Sequence, residues 1–240
     1  MNRYSASIYL LLFQSLFMIL QAQPNRYGVP IISNYEHYVT GGSEQNWCIT
    51  QDSRGIIYVG NNDKGVLEYD GVEWRTIPLP NNPIVRSLVT GHDGIVYVGA
   101  DGEFGHLVPD GWGKMHYRSL SDTVAREGRG SGIGDVWKSY VVKGKIYFCT
   151  SPRIFIYDPD SASLDILETP DYALFSFIVD QELYVGDYGK GLMKLEADTF
   201  ATVRGGGAFR EMDITGLVRF DRDRLLVATY YDGLFLLDPG

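Results

Sequence analysis

Gly55–Trp74 reads GIIYVGNNDKGVLEYDGVEW. Two short apolar runs each end in Gly, Asn or Asp, and Asp70-Gly71 leads directly to a tryptophan. Taken alone, this is a β-hairpin followed by a third strand, with glycine supplying the positive φ that tight turns need. The pattern returns at Gly94–Trp112 as GIVYVGADGEFGHLVPDGW, and at Glu182–Asp198 as ELYVGDYGKGLMKLEAD. A hairpin has no reason to recur. A repeating architecture does.

Aligning the chain on the central strand sets Tyr58, Tyr97, Tyr147, Tyr184 and Leu226 in one column, at steps of 39, 50, 37 and 42 residues. A period near forty residues made wholly of strand-like segments is the signature of propeller blades. Each repeat holds four candidate strands, A to D, and the fifth stops before strand D. The expected blades are residues 44–83, 84–122, 134–171, 172–211 and a partial 212–240. The fold class is therefore all-β: a β-propeller of four-stranded antiparallel blades, about five of them, forming part of a seven-bladed disc. Strand B is apolar almost throughout, as suits a strand paired on both edges and packed on both faces. A single blade cannot bury two apolar faces, so blades must stack.

The chain has 240 residues, 28 Gly, 17 Tyr and a net charge of −9. That charge gives no general attraction to nucleic acid or anionic lipid, so no nucleic-acid partner is expected. Residues 1–22 read as a secretory signal peptide: Arg3, an apolar core over Ile8–Leu20, and Ala22 before the cut. Residues 23–43 form a leader whose segment Pro30–Val39 is expected to be a strand completing the last blade, as closure removes open sheet edges. The alternative is that the disc is an open arc. Cys48 and Cys149 fall in different repeats at different strand positions and are expected as two buried thiols.

The pattern Asn46-Trp47-x-Ile49-x-Gln51-Asp52, followed by Gly55-x-Ile57-Tyr58-Val59-Gly60-Asn61 and by Gly65-Val66-Leu67-Glu68-Tyr69-Asp70-Gly71-x-x-Trp74, resembles the two-component regulator propeller family. That family provides the exported sensor region of bacterial hybrid histidine kinases and of triple-tyrosine-motif signalling proteins. The resemblance covers residues 44–240 and is strongest in the first two blades. It implies that the chain is the N-terminal part of a membrane signalling protein on the periplasmic side of a bacterial inner membrane. It further implies downstream membrane and signalling domains in the same polypeptide and a possible dimer in the full-length protein.

Catalytic motifs are missing. His37, His92, His106 and His116 have no metal-ligand spacing, and no cofactor or metal is expected. The glycine-rich runs from Gly128 and Arg204 lack phosphate-loop spacing and read as flexible surface loops. What remains is a binding surface. Strand direction alternates within a blade, so B–C turns and D–A connections share one face. That face collects Trp47, Arg86, Asp135, Trp137, Lys138, Phe175, Tyr188, Asp213, Tyr230 and Tyr231. Aromatic platforms beside carboxylates and a guanidinium suit a small-molecule or oligosaccharide ligand. Two other roles stay open: Trp47 and Trp137 as packing between blades, and Arg86 as partner of a neighbouring Asp. A propeller enzyme acting on glycans, drawing on Asp135, Asp187, Asp213 or Asp232, and a protein-interaction platform are the alternatives to a non-enzymatic sensor.

Overall fold

The computed structural model describes residues 32–126, 132–170 and 173–240. The signal-peptide reading of residues 1–22 lies outside them. The blades belong to one compact unit, Glu36–Gly240.

Among the described residues, nineteen strands make five antiparallel sheets, each in simple sequential order. Blade 1 is β1–β4 (Asn46–Gln51, Ile57–Asn61, Val66–Tyr69, Trp74–Ile77). Blade 2 is β5–β8 (Val85–Thr90, Val96–Ala100, Glu103–Pro109, Met115–Ser119). Blade 3 is β9–β12 (Lys138–Val142, Lys145–Cys149, Arg153–Asp158, Ser163–Glu168). Blade 4 is β13–β16 (Ala173–Val179, Glu182–Asp187, Gly191–Glu196, Thr199–Thr202). Blade 5 has three strands, β17–β19 (Ile214–Arg219, Leu225–Thr229, Leu234–Leu237).

The repeated Tyr-Val-Gly of strand B now has a packing cause. Each blade lays its strand A against strand B of the blade before it. A Cβ added to Gly60 would lie 2.7 Å from the carbonyl oxygen of Val85, and one on Gly186 would lie 2.9 Å from Cβ of Ile214. At Gly99 it would meet Ser87 Oγ at 2.4 Å and Val136 Cγ1 at 2.5 Å. In these three blades glycine leaves room for the neighbouring strand, while blade 3 carries Cys149 at the same place. The cores lie between blades: Tyr58, Val66 and Ile77 of blade 1 pack with Val85, Val96 and Val98 of blade 2. Tyr184 and Leu192 of blade 4 meet Ile214, Leu225 and Val227 of blade 5 in the same way. Polar contacts fasten the seams: Ser87 Oγ donates to Val136 O (3.1 Å), and Tyr140 Oη donates to Ser176 O (2.6 Å).

The N-terminal strand requires correction. Ile32–Glu36 has no regular structure, and His37–Thr40 is one helical turn, α1, ended by Gly41 at φ 72°. The Gly41-Gly42 pair is the reason. Glycine at φ 72° turns the chain, and Gly42 then lies on blade 1, where an added Cβ would be 2.7 Å from Leu67 Cδ1. Fully buried Asn61 pins the segment: Ser43 N and Oγ donate to its Oδ1 (3.1 and 2.8 Å), and its Nδ2 donates to Ser43 O (3.0 Å). Pro30 and Ile31 lie outside the described residues.

One loop reading also changes, that of the run after Arg204, while residues 128–131 of the other glycine-rich run lie outside the described residues. The long connection after blade 2 opens with a helix, α2 (Ser121–Arg126). The glycine-rich run after Arg204 forms a 3-10 turn over Gly206–Phe209, and buried Phe209 packs in the core between blades 4 and 5. Its single large apolar side chain overrides the polar, glycine-rich surroundings.

Candidate functional site

Strand A carries a β-bulge at one register position. Pairing with strand B skips a residue between Asn46 and Cys48, between Val85 and Ser87, between Ala173 and Phe175, and between Ile214 and Gly216. The skipped residues are Trp47, Arg86, Leu174 and Thr215. In blade 3 the register continues from Lys138 opposite Cys149, so Trp137 holds the matching place. A bulge breaks the strand's alternation and re-aims the side chain. In blades 1 and 2 the bulge gives Trp47 and Arg86 the same place, and Trp137 holds it in blade 3.

These three residues meet. The Arg86 guanidinium carbon lies 4.5 Å from the Trp47 ring centre and 4.2 Å from that of Trp137. The two indoles are edge-on to each other, 6.4 Å apart at 76°. The cation therefore sits in the angle between two π faces, where the ring quadrupoles favour it. Asp135 completes the cluster: Arg86 Nε donates to Oδ1 at 2.9 Å and Nη2 to Oδ2 at 3.3 Å. The Arg86 side chain is 11% exposed and that of Asp135 27%, so the ion pair is partly shielded from water and stronger than a surface pair.

The backbone fixes these groups. Asp135 bridges to Asp101. Gly102 N donates to Gly134 O (2.9 Å) and Val136 N to Ala100 O (3.1 Å). The connection into blade 3 thus lies along the end of β6. Trp47 Nε1 donates to Asn62 Oδ1 (3.2 Å), which ties the indole to the B–C turn of its own blade.

Asp135 occupies one edge of the guanidinium. The other edge, at Nη1 and the second Nη2 hydrogen, has no partner among the described residues. A donor edge, an adjoining carboxylate and an indole that is 39% exposed form one surface. This arrangement can donate to one hydroxyl oxygen, accept from its neighbour and cover an apolar ring face. Both roles left open by the sequence hold at once: Arg86 has its Asp, and the indoles pack across blades 1 to 3.

The remaining expected residues stand apart from this cluster. Lys138 is exposed at the start of β9, and Phe175 is half-buried beside the bulge of β13. Tyr188, Tyr230 and Tyr231 are exposed in the B–C turns of blades 4 and 5. The two rings of Tyr230 and Tyr231 meet edge to face at 4.5 Å. Exposed Asp213 accepts from Tyr230 N through its carbonyl (2.9 Å). Tyr172 lies outside the described residues.

Sequence reasoning missed Glu103. Its Oε1 accepts from Tyr117 Oη (2.7 Å), Ser119 Oγ (2.8 Å) and Ser121 Oγ. It thereby holds the start of α2 onto blade 2. Burial and the Glu103 charge push the Tyr117 phenol far above its usual range. Only the Ser-x-Ser spacing of residues 119 and 121 hinted at it. The bulge was equally hidden, since it is a register property rather than a composition.

The fold is that of the β-propellers. No family model and no curated protein matches the sequence. Solved structures do. The extracellular domain of BT3049, described as a hybrid two-component system of B. thetaiotaomicron, is 16% identical with a TM-score of 0.58, over 90% of this chain and 29% of that one. PorZ, a surface component of the type-IX secretion system of Porphyromonas gingivalis, is 16% identical with a TM-score of 0.61, over 86% and 34%. Virginiamycin B lyase of Staphylococcus aureus is 15% identical with a TM-score of 0.56, over 80% and 69%. At such identities the likeness shows the fold alone. The chain spans about a third or less of the first two proteins' length.

Proposed function

We propose that this chain is an exported, ligand-sensing β-propeller, the N-terminal part of a membrane signalling protein. It binds a small hydroxyl-rich ligand, an oligosaccharide or its breakdown product, on the B–C/D–A face. The observation that carries this reading is the Trp47–Arg86–Trp137 cluster with Asp135, set by bulges at one register position in successive blades. Likeness to an extracellular two-component domain supports the signalling context. The apolar stretch at Ile8–Leu20 supports export.

An enzyme is the second reading, favoured by likeness to a lyase. That lyase is made catalytically inactive by a histidine-to-alanine change. The four histidines here lie in α1, the β5–β6 turn, β7 and β8, away from the cluster. General acid–base work at the cluster would rest on Asp135, which Arg86 already engages.

The test is thermal stabilisation by a panel of neutral mono- and oligosaccharides, which must accompany binding to the native state alone. At least one sugar should raise the melting temperature. Trp137→Ala and Arg86→Ala should each remove that rise while keeping a cooperative transition. Stabilisation that survives both changes overturns the site. Release of cleaved sugar overturns the non-enzymatic reading.

A further inference from the structure

Blade 3 treats the recurring tyrosine of strand B unlike blades 1 and 2. In those blades its hydroxyl donates to an aspartate of the A–B turn: Tyr58 Oη to Asp52 Oδ2 at 3.3 Å, and Tyr97 Oη to Asp93 Oδ2 at 2.7 Å. The A–B turn of blade 3 is Lys143-Gly144 and holds no aspartate. The strand C residue opposite Tyr147 is Ile156, where blades 1, 2 and 4 carry Glu68, His106 and Lys194. The Tyr147 hydroxyl has no hydrogen-bond partner among the described residues.

Beside it a pocket of about 360 Å³ opens between blades 3 and 4, within the size range of small-molecule sites. Both blades have all four strands, so neither owes a further strand to this space. The pocket lies at A–B and C–D turns, on the opposite face from the indole cluster. Ile156 and Leu167 of blade 3 and Leu195 of blade 4 give it apolar walls, each only partly buried. Tyr147, Ile156 and Asp165 form one cross-strand row along it.

Charge selects the ligand. Lys143 and Lys145 stand at the rim, but each already has an acid: Lys143 Nζ lies 3.3 Å from Glu182 Oε1, and Lys145 Nζ lies 3.6 Å from Asp158 Oδ2. Asp165 and Asp198 are the other two charged residues of the lining, and both are exposed. Neither pairs with a cation among the described residues. Two unanswered carboxylates beside apolar walls and a phenol suit an ammonium group on an apolar body.

We propose that this pocket binds a small organic cation, a primary amine carried on an aromatic or aliphatic body. The body lies against Ile156, Leu167 and Leu195, and the ammonium faces Asp165 and Asp198, with the Tyr147 hydroxyl open to accept from it. The inference does not rest on the sugar reading.

Isothermal titration calorimetry of the chain with 2-phenylethylamine and tryptamine tests it, beside 3-phenylpropionate and indole-3-propionate as anions on similar bodies. At least one amine should bind with a Kd below about 5 mM and raise the melting temperature, and the corresponding acid should bind at least about tenfold more weakly. The double change Asp165→Asn, Asp198→Asn touches only exposed side chains, so it should leave the fold intact and weaken amine binding about tenfold. Tyr147→Phe removes a hydroxyl that the protein itself does not use, and should weaken binding about threefold at an unchanged melting temperature. Failure of both amines to bind the folded protein overturns the proposal. Equal binding of amine and acid overturns it as a contact of the apolar body alone. Unchanged affinity in either variant places the amine elsewhere and overturns it too.

Discussion

Replacing Gly99 by alanine tests the stacking of blades more sharply than any apolar core change. The φ of Gly99 lies in an ordinary strand region, so backbone strain plays no part. The substitution would even stabilise by about 0.4–1 kcal/mol through the unfolded chain if there were room. There is none. The new methyl would lie 2.4 Å from Ser87 Oγ, 2.5 Å from Val136 Cγ1 and 2.9 Å from Ser139 Oγ. Overpacking of this kind costs about 1–3 kcal/mol. Ser87 Oγ, held to Val136 O at 3.1 Å and to Ser139 Oγ at 2.8 Å, must move, at about 1 kcal/mol for each bond lost. The net loss is about 2–4.5 kcal/mol, a fall in Tm of roughly 5–15 °C for a chain this size. Scanning calorimetry reads it directly. Gly111→Ala is the control, with no atom within 4 Å of its Cβ and no positive φ, and should gain about 0.4–1 kcal/mol. A Gly99→Ala protein as stable as wild type would refute the account of the Tyr-Val-Gly motif.

Asp135→Asn should lower stability by about 1.5–3 kcal/mol, the cost of weakening a partly buried bond to a charged donor, measured by urea unfolding; no change would show that Arg86 finds another partner. Burial favours the neutral acid at Asp52, but hydrogen bonds from Arg54 and from the Ile56 and Arg54 amides outweigh it and hold the carboxyl below its usual range. A depressed folded pKa contributes stability above the unfolded value, near 4, which is lost as pH falls through the folded value. Asp52→Asn should therefore flatten the acid limb of stability against pH below about 4, and an unaltered limb would contradict that role. Burial pushes the Cys48 and Cys149 thiols up to about 12, so both should resist alkylation at pH 8 in the native protein and react after denaturation.

The fold was readable because blade packing imposes residue types at fixed spacing. Tyr58 and Gly60 recur as Tyr97 and Gly99, since one strand must fill a core and let the next strand approach. The cluster was half readable. Trp47, Arg86, Asp135 and Trp137 stood out as aromatic and charged residues at the starts of strands, although they are far apart in sequence. Their meeting depends on a bulge that skips one residue, and no residue type announces a bulge. Phe175, picked out by its place at a D–A connection, pairs with Gly186 just after such a skip. The N-terminal strand failed for a local reason. Over Ile32–Val39 the β-rich run was outweighed by Gly41-Gly42, which turn the chain onto blade 1, and by Asn61, whose buried amide holds it there.

The central claim is that the indole–guanidinium cluster is a sugar-binding surface. The chain's four tryptophans divide cleanly: Trp47 and Trp137 are in the cluster, while Trp74 begins β4 and Trp112 is fully exposed in the β7–β8 turn. In a Trp74→Phe, Trp112→Phe protein, tryptophan fluorescence reports the cluster alone. Titrating it with neutral oligosaccharides should give a saturable change for at least one sugar, abolished by Arg86→Ala. A flat signal across the panel in a folded protein would contradict the account.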